Sequence, residues 1–136
     1  MTSTSGNNAS LMDGLTHFDL AREIVDSEQK RPWASGLYSK TLVKTEDFRV
    51  VLIAMDGAAK MNEHHADGTI SIQLLKGHIR VGMQGQMQDL RTGSLLALKR
   101  SMKHDVESLE DSAFLLTIAW PSNEELLAME HRGYGK

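Results

Sequence analysis

Met61-Asn62-Glu63-His64-His65-Ala66-Asp67-Gly68 runs directly into Thr69-Ile70-Ser71-Ile72-Gln73-Leu74-Leu75-Lys76-Gly77, and this block decides the fold. Ile70, Ile72 and Leu74 alternate with Thr69, Ser71 and Gln73, the two-residue period of a strand with one buried face. Asp67-Gly68 turns the chain into the strand, and Gly77 closes it. Two adjacent histidines stand just ahead of the turn.

The same short-strand pattern extends in both directions. Upstream, Leu37 to Val43 and the apolar run Phe48 to Met55 read as strands, separated by Lys44-Thr45-Glu46-Asp47 and followed by the Asp56-Gly57 turn. Downstream, Ile79 to Met83 and Gln86 to Leu90 flank a Gln84-Gly85 hairpin turn. Thr92-Gly93 leads into Ser94 to Leu98, a basic loop covers Lys99 to Lys103, and His104 to Leu109 and Ala113 to Trp120 follow. Eight or nine strands broken by glycine turns, with no βαβ alternation, predict an all-β sandwich or closed barrel.

The ends read differently. Residues 1–16 are expected as a disordered, Ser/Thr/Asn/Gly-rich tail. Residues 17–36 form an arm with a short helix between Phe18 and Val25, whose apolar positions are Leu20, Ala21, Ile24 and Val25. Trp33 is expected to staple this arm onto the β-domain, residues 37–121. Residues 122–136 are a C-terminal helix and tail, started by the capping box Ser122-Asn123-Glu124-Glu125.

Composition excludes several classes. The chain has 136 residues, 40% hydrophobic and 24% charged, the size and balance of one soluble domain. A net charge of −3 argues against nucleic acid as a partner. With no cysteine there is no disulfide, thiolate zinc site or cysteine nucleophile. No apolar run is long enough for a membrane helix, and the first residues lack a signal-peptide pattern, so a cytoplasmic protein is expected.

Of the six histidines, His17, His78 and His131 are expected in solvent. His64, His65 and His104 are the candidate metal ligands, because clustered imidazoles hold divalent ions or act as bases. Neighbours on a strand face opposite ways, so one of His64 and His65 faces inward, with His104 on the inward face of its own strand. Met61, Met83, Met87 and Met102 are expected near the same mouth, where Lys99, Arg100 and Lys103 form a solvated basic loop flanking His104.

On these residues the stretch from about Leu37 to Trp120 resembles a small single-domain cupin of the cupin type 2 conserved-barrel family. The family's first motif is Gly-x5-His-x-His-x(3 or 4)-Glu-x6-Gly, and its second is Gly-x5-Pro-x-Gly-x2-His-x3-Asn. Gly93 and His104 match the second, with Lys99, Ser101 and Ser108 at its Pro, Gly and Asn positions. In the first, the shorter spacer sets His64 and Ala66 at the histidines; the longer one sets Gly57, Glu63 and His65. Either way Ile70 replaces the glutamate and Gly77 is kept.

The resemblance implies a double-stranded β-helix, or jelly-roll barrel, with short terminal helices. It also implies a small-molecule ligand and a homodimer. A divalent transition metal would be held weakly, because the full set of three histidines and a carboxylate is incomplete. The expected function is small-molecule binding; the alternative is a metal-dependent dioxygenase or isomerase acting on a small organic substrate.

Overall fold

A computed structural model describes residues 14–120. The expected C-terminal helix and most of the expected N-terminal tail lie outside the described residues. Among the described residues, one helix, α1 (Leu20–Glu28), precedes a 3₁₀ turn (Ala34–Gly36) and nine strands. These are β1 (Leu37–Lys44), β2 (Phe48–Met55), β3 (Lys60–His64), β4 (Thr69–Lys76) and β5 (His78–Met83), then β6 (Gln86–Arg91), β7 (Leu95–Leu98), β8 (His104–Ser108) and β9 (Ser112–Ala119). Among the described residues, no helix is long and apolar enough to cross a membrane.

The strands form two antiparallel sheets, β1-β2-β9-β4-β7 and β3-β8-β5-β6. Only β1 to β2 and β5 to β6 are hairpins between consecutive strands of one sheet; every other connection crosses from one sheet to the other. That is a double-stranded β-helix. β9 lies at the centre of the five-stranded sheet, paired on both sides by β2 and β4, which accounts for its apolar sequence.

Strand alternation sends one residue set inward. Ile53, Met55, Ile72, Leu74 and Phe114 from the larger sheet meet Ile79, Val81, Leu90 and Val106 from the smaller. This cluster is the larger part of the core. A second, smaller cluster of Ile70, Leu98 and Ile118 lies toward the opposite end, with Ala66, Met83, Leu96, Met102, Leu116 and Trp120 packed against it.

The tightest crossing is β4 to β5, which has no loop. Lys76 ends one sheet, His78 begins the other, and Gly77 alone joins them at φ +97°. A Cβ there would lie 2.5 Å from the Asp111 carbonyl oxygen and clash with the Ser112 side chain. Ser112 Oγ accepts from the His78 N–H at 3.0 Å and donates to the Glu110 carbonyl at 2.7 Å. Glycine is required here on two independent grounds, backbone angle and space.

Helix α1 starts at the N-cap Asp19, whose carboxylate accepts from the Arg22 N–H at 3.3 Å. Its buried face is not wholly the expected apolar one. Glu23 and Ser27 are its buried residues, whereas Val25 is 43% exposed. The reason is pairing: Lys40 of β1 reaches Glu23 at 2.8 Å, so a carboxylate rather than a methyl faces the sheet. Trp33 donates from its ring N–H to the Ser27 carbonyl at 2.9 Å and lies under Arg31. Arg31 in turn contacts Asp56 at 2.9 Å and Asp111 at 3.3 Å, joining the arm to two barrel turns.

Gly77→Ala should lower unfolding stability by about 2–4 kcal/mol, combining left-handed backbone strain with a steric clash. Gly85→Ala shares the positive φ but has open space around the Cβ position, so it should cost less, about 1 kcal/mol. Urea melts that rank the two equally would contradict this reading of the crossover.

Candidate functional site

Three sequence features place the site. β3 pairs with β8 as Met61 opposite Val106 and His64 opposite His104, a spacing of three residues against two. The extra residue is a bulge, and it carries His64 onto the inward face shared with Met61. The β5–β8 ladder runs to Gly82 opposite Asp105, so Met83 follows it at the end of β8 where His104 stands.

The rings of His64 and His104 stand with centroids 4.2 Å apart, tilted by 60°. Each Nδ1 lies against the backbone carbonyl two residues earlier, Asn62 at 2.8 Å and Met102 at 3.1 Å. With Nδ1–H donating to those carbonyls, each Nε2 keeps its lone pair. Both rings are thus held in one tautomer, the arrangement that suits an acceptor, a base or a metal ligand. His104 is 2% exposed, whereas His64 is half-buried. Burial pushes the His104 pKa below the ordinary histidine value, with the neighbouring His64 charge adding to it; the Met102 carbonyl and Asp105 oppose.

His65, the third candidate ligand, is exposed and sits one residue beyond the strand. Glu63 is exposed on the outer side of the sheet, where it lines a groove of about 270 Å³ with Asp105 and Glu107. Met87 also lines that outer groove and is 60% exposed, so it is not at the mouth with Met83 and Met102. β6 is an edge strand, which leaves that residue in solvent. His78 departs from its expected exposure: its side chain is 14% exposed, held at the Gly77 crossover with Asp89 3.4 Å away.

The backbone resolves the two motif spacings. The shorter one sets Ala58 at the first glycine, and Ala58 has φ +71°. Ser101, at a glycine position of the second motif, has φ +65°. Both therefore keep the left-handed conformation without the glycine. The shorter spacing also sets Ala66 at the second histidine, and Ala66 packs inward against the Ile70 cluster.

The donor set can now be tested against a divalent metal. Two imidazoles sharing one ion at about 2.0–2.1 Å would hold their centroids roughly 4.5–5 Å apart. The observed 4.2 Å is near that spacing. A third donor is missing: Ile70 is 4% exposed in the wall, Ala66 has no donor atom, and Glu63 is on the outer side. Among the described residues, no group of three His, Asp or Glu side chains could hold a metal ion. Two imidazoles do not fit a firmly held catalytic metal, which needs about three protein ligands.

Sequence reading missed one inward side chain at this end, Arg49 of β2. It pairs with Ile118 of the mouth cluster, and its guanidinium carbon is 5.2 Å from the centroid of the Trp120 ring. The available signal was strand parity: Arg49, Val51 and Ile53 share one face.

Comparison with known proteins agrees on architecture. A cupin superfamily protein from Desulfitobacterium hafniense aligns at TM-score 0.63 and 14% identity, over 69% of this chain and 86% of that one. A cupin-2 domain protein from Shewanella frigidimarina aligns at 0.61 and 12%, over 81% and 99%. An uncharacterised conserved protein with a double-stranded β-helix domain, from Klebsiella pneumoniae, aligns at 0.64 and 18%, over 76% and 88%. No family model and no curated protein matches the chain. Topology and these neighbours define a double-stranded β-helix protein. More narrowly, the chain has the fold of a small cupin domain.

Two outcomes follow from this geometry. Ala58→Gly should raise unfolding stability by about 1 kcal/mol, because it relieves a left-handed alanine; an unchanged or lower denaturation midpoint would contradict the strain. Burial makes His104 harder to protonate in the fold than in the unfolded chain, which takes up the proton near pH 6.5. The unfolded state then binds more protons as pH falls through that value, so stability should drop between about pH 7 and pH 5. His104→Gln should flatten that slope. Asp89, whose carboxyl Arg80 holds below its ordinary range, loses its contribution at lower pH, under about 4. Equal slopes in wild type and variant would exclude the His104 assignment.

Proposed function

We propose that this protein binds a small organic molecule at the barrel mouth, over the His64–His104 pair, without a full catalytic metal set. The observation that carries this reading is the pair itself: two imidazoles fixed through Nδ1, beside a wall of Ile70, Met83 and Met102. Such a wall favours an apolar ligand body, and the two Nε2 lone pairs accept a hydrogen bond where the ligand carries a hydroxyl or N–H group. Cupin folds often hold a transition metal, and what this site offers such an ion is two nitrogen ligands.

The second reading, a metal-dependent dioxygenase or isomerase, draws support from the same fixed tautomers, since metal-bound histidines are commonly oriented this way. The ligand count weighs against it. Elemental analysis of untagged protein should find well below one Fe, Mn, Ni or Zn per chain. Added Zn²⁺ should bind weakly and be lost in His104→Ala. A stoichiometric metal that survives dialysis against chelator, and is emptied by His104→Ala, would reverse the choice between the two readings.

A further inference from the structure

Arg49 is the sole charged residue in the eight-residue β2. Opposite Ile118, it belongs to the inward-facing row that runs through Ile118, Ile70 and Leu98. Its guanidinium lies over Trp120, and Trp120 packs against that same row. The Arg49 Nε atom is buried and has no hydrogen-bond partner. Among the described residues, no carboxylate forms an ion pair with Arg49. The residue as a whole is half-buried; a buried donor left unpaired is costly, and a protein that keeps one on an inward face gains when an anion arrives.

The geometry points to a ligand class: we propose that the mouth takes an organic monocarboxylate, with Arg49 as the residue that anchors its carboxylate. This rests on the small-molecule reading above and sharpens it. The planar fork of a guanidinium matches a carboxylate in two parallel hydrogen bonds, and the Trp120 ring holds that plane in place. The rest of the wall decides the ligand's charge and body. Ile70, Ile118, Leu98, Met83 and Met102 are apolar, which disfavours a dianion and suits an apolar acyl body; Lys44, paired with Arg49 on β1, is exposed and leaves Arg49 as the cation with a buried donor in that row. Lys99, Arg100 and Lys103 are exposed on the loop outside, where they raise the local concentration of anions without touching the apolar wall.

The test uses isovalerate, its neutral isostere isovaleramide, and inorganic phosphate as probes on the full chain. Binding is followed by the His104 ring proton and Trp120 indole N–H resonances in NMR titrations. Isovalerate should shift both resonances, and isovaleramide and phosphate should bind about tenfold more weakly or worse, as expected for losing a charge-assisted bidentate pair. Arg49→Gln should weaken isovalerate by a similar factor. Arg49→Lys, which keeps charge and bulk but not the fork, should fall between them, and it carries the test if the glutamine variant does not fold. Equal binding of isovalerate and isovaleramide, or an unaffected Arg49→Gln, would overturn the carboxylate anchor while leaving the small-molecule reading in place. Phosphate binding as tightly as isovalerate would overturn the choice of a monocarboxylate. No response of either resonance to any probe would overturn both.

Discussion

The single-residue crossing at Gly77 is the constraint on which the remaining structure depends. A chain that leaves one sheet and enters the other within one residue must turn without the slack of a loop. Only a residue with no Cβ fits between the Asp111 carbonyl and Ser112 at φ +97°. The crossing also exchanges inward parity, so that Leu74 faces the core from one sheet and Ile79 faces it from the other. Because Ser112 both accepts from His78 and donates to Glu110, the β8–β9 turn is tied to the same point. Two of the sheet-to-sheet passages are thereby fixed against each other, and β8, which carries His104, inherits its position from them.

What was readable in the sequence follows from this geometry. Strand alternation is local, so the β4 and β9 patterns and the glycine turns were visible without any tertiary knowledge. Which of the two adjacent histidines faces inward was not, because the answer depends on a bulge between Met61 and His64 that only pairing with β8 reveals. Arg49 escaped notice for a related reason. Within an apolar run a lone arginine resembles an edge or a strand start, until register places it opposite a buried isoleucine. The polar face of α1 is a third case: Glu23 is buried because Lys40 comes from a strand distant in sequence.

The barrel interior divides into a larger apolar cluster and a smaller one at the opposite end. Ile53, Met55, Phe114 and their partners form the larger one and hold the sheets together. The mouth contributes less to that packing, so its residues are freer to change. Ala58 and Ser101 show the backbone outlasting the residue: both retain left-handed angles where the motifs have glycine. At the positions where the motifs have metal ligands, Ala66 and Ile70 face inward and carry no donor atom.

An isoleucine in place of a carboxylate alters more than the ligand count. It removes a negative charge that would have compensated a dication, and it replaces a hydrated group with one that excludes water. His104, already pushed toward its neutral form by burial, is then left without an anionic partner on that wall. Arg49, on the same row as Ile118 and Ile70, is held over Trp120 with a buried donor unused. On the proposed reading, the guanidinium of Arg49 supplies the charge complementarity that a carboxylate at position 70 would otherwise have set with the opposite sign.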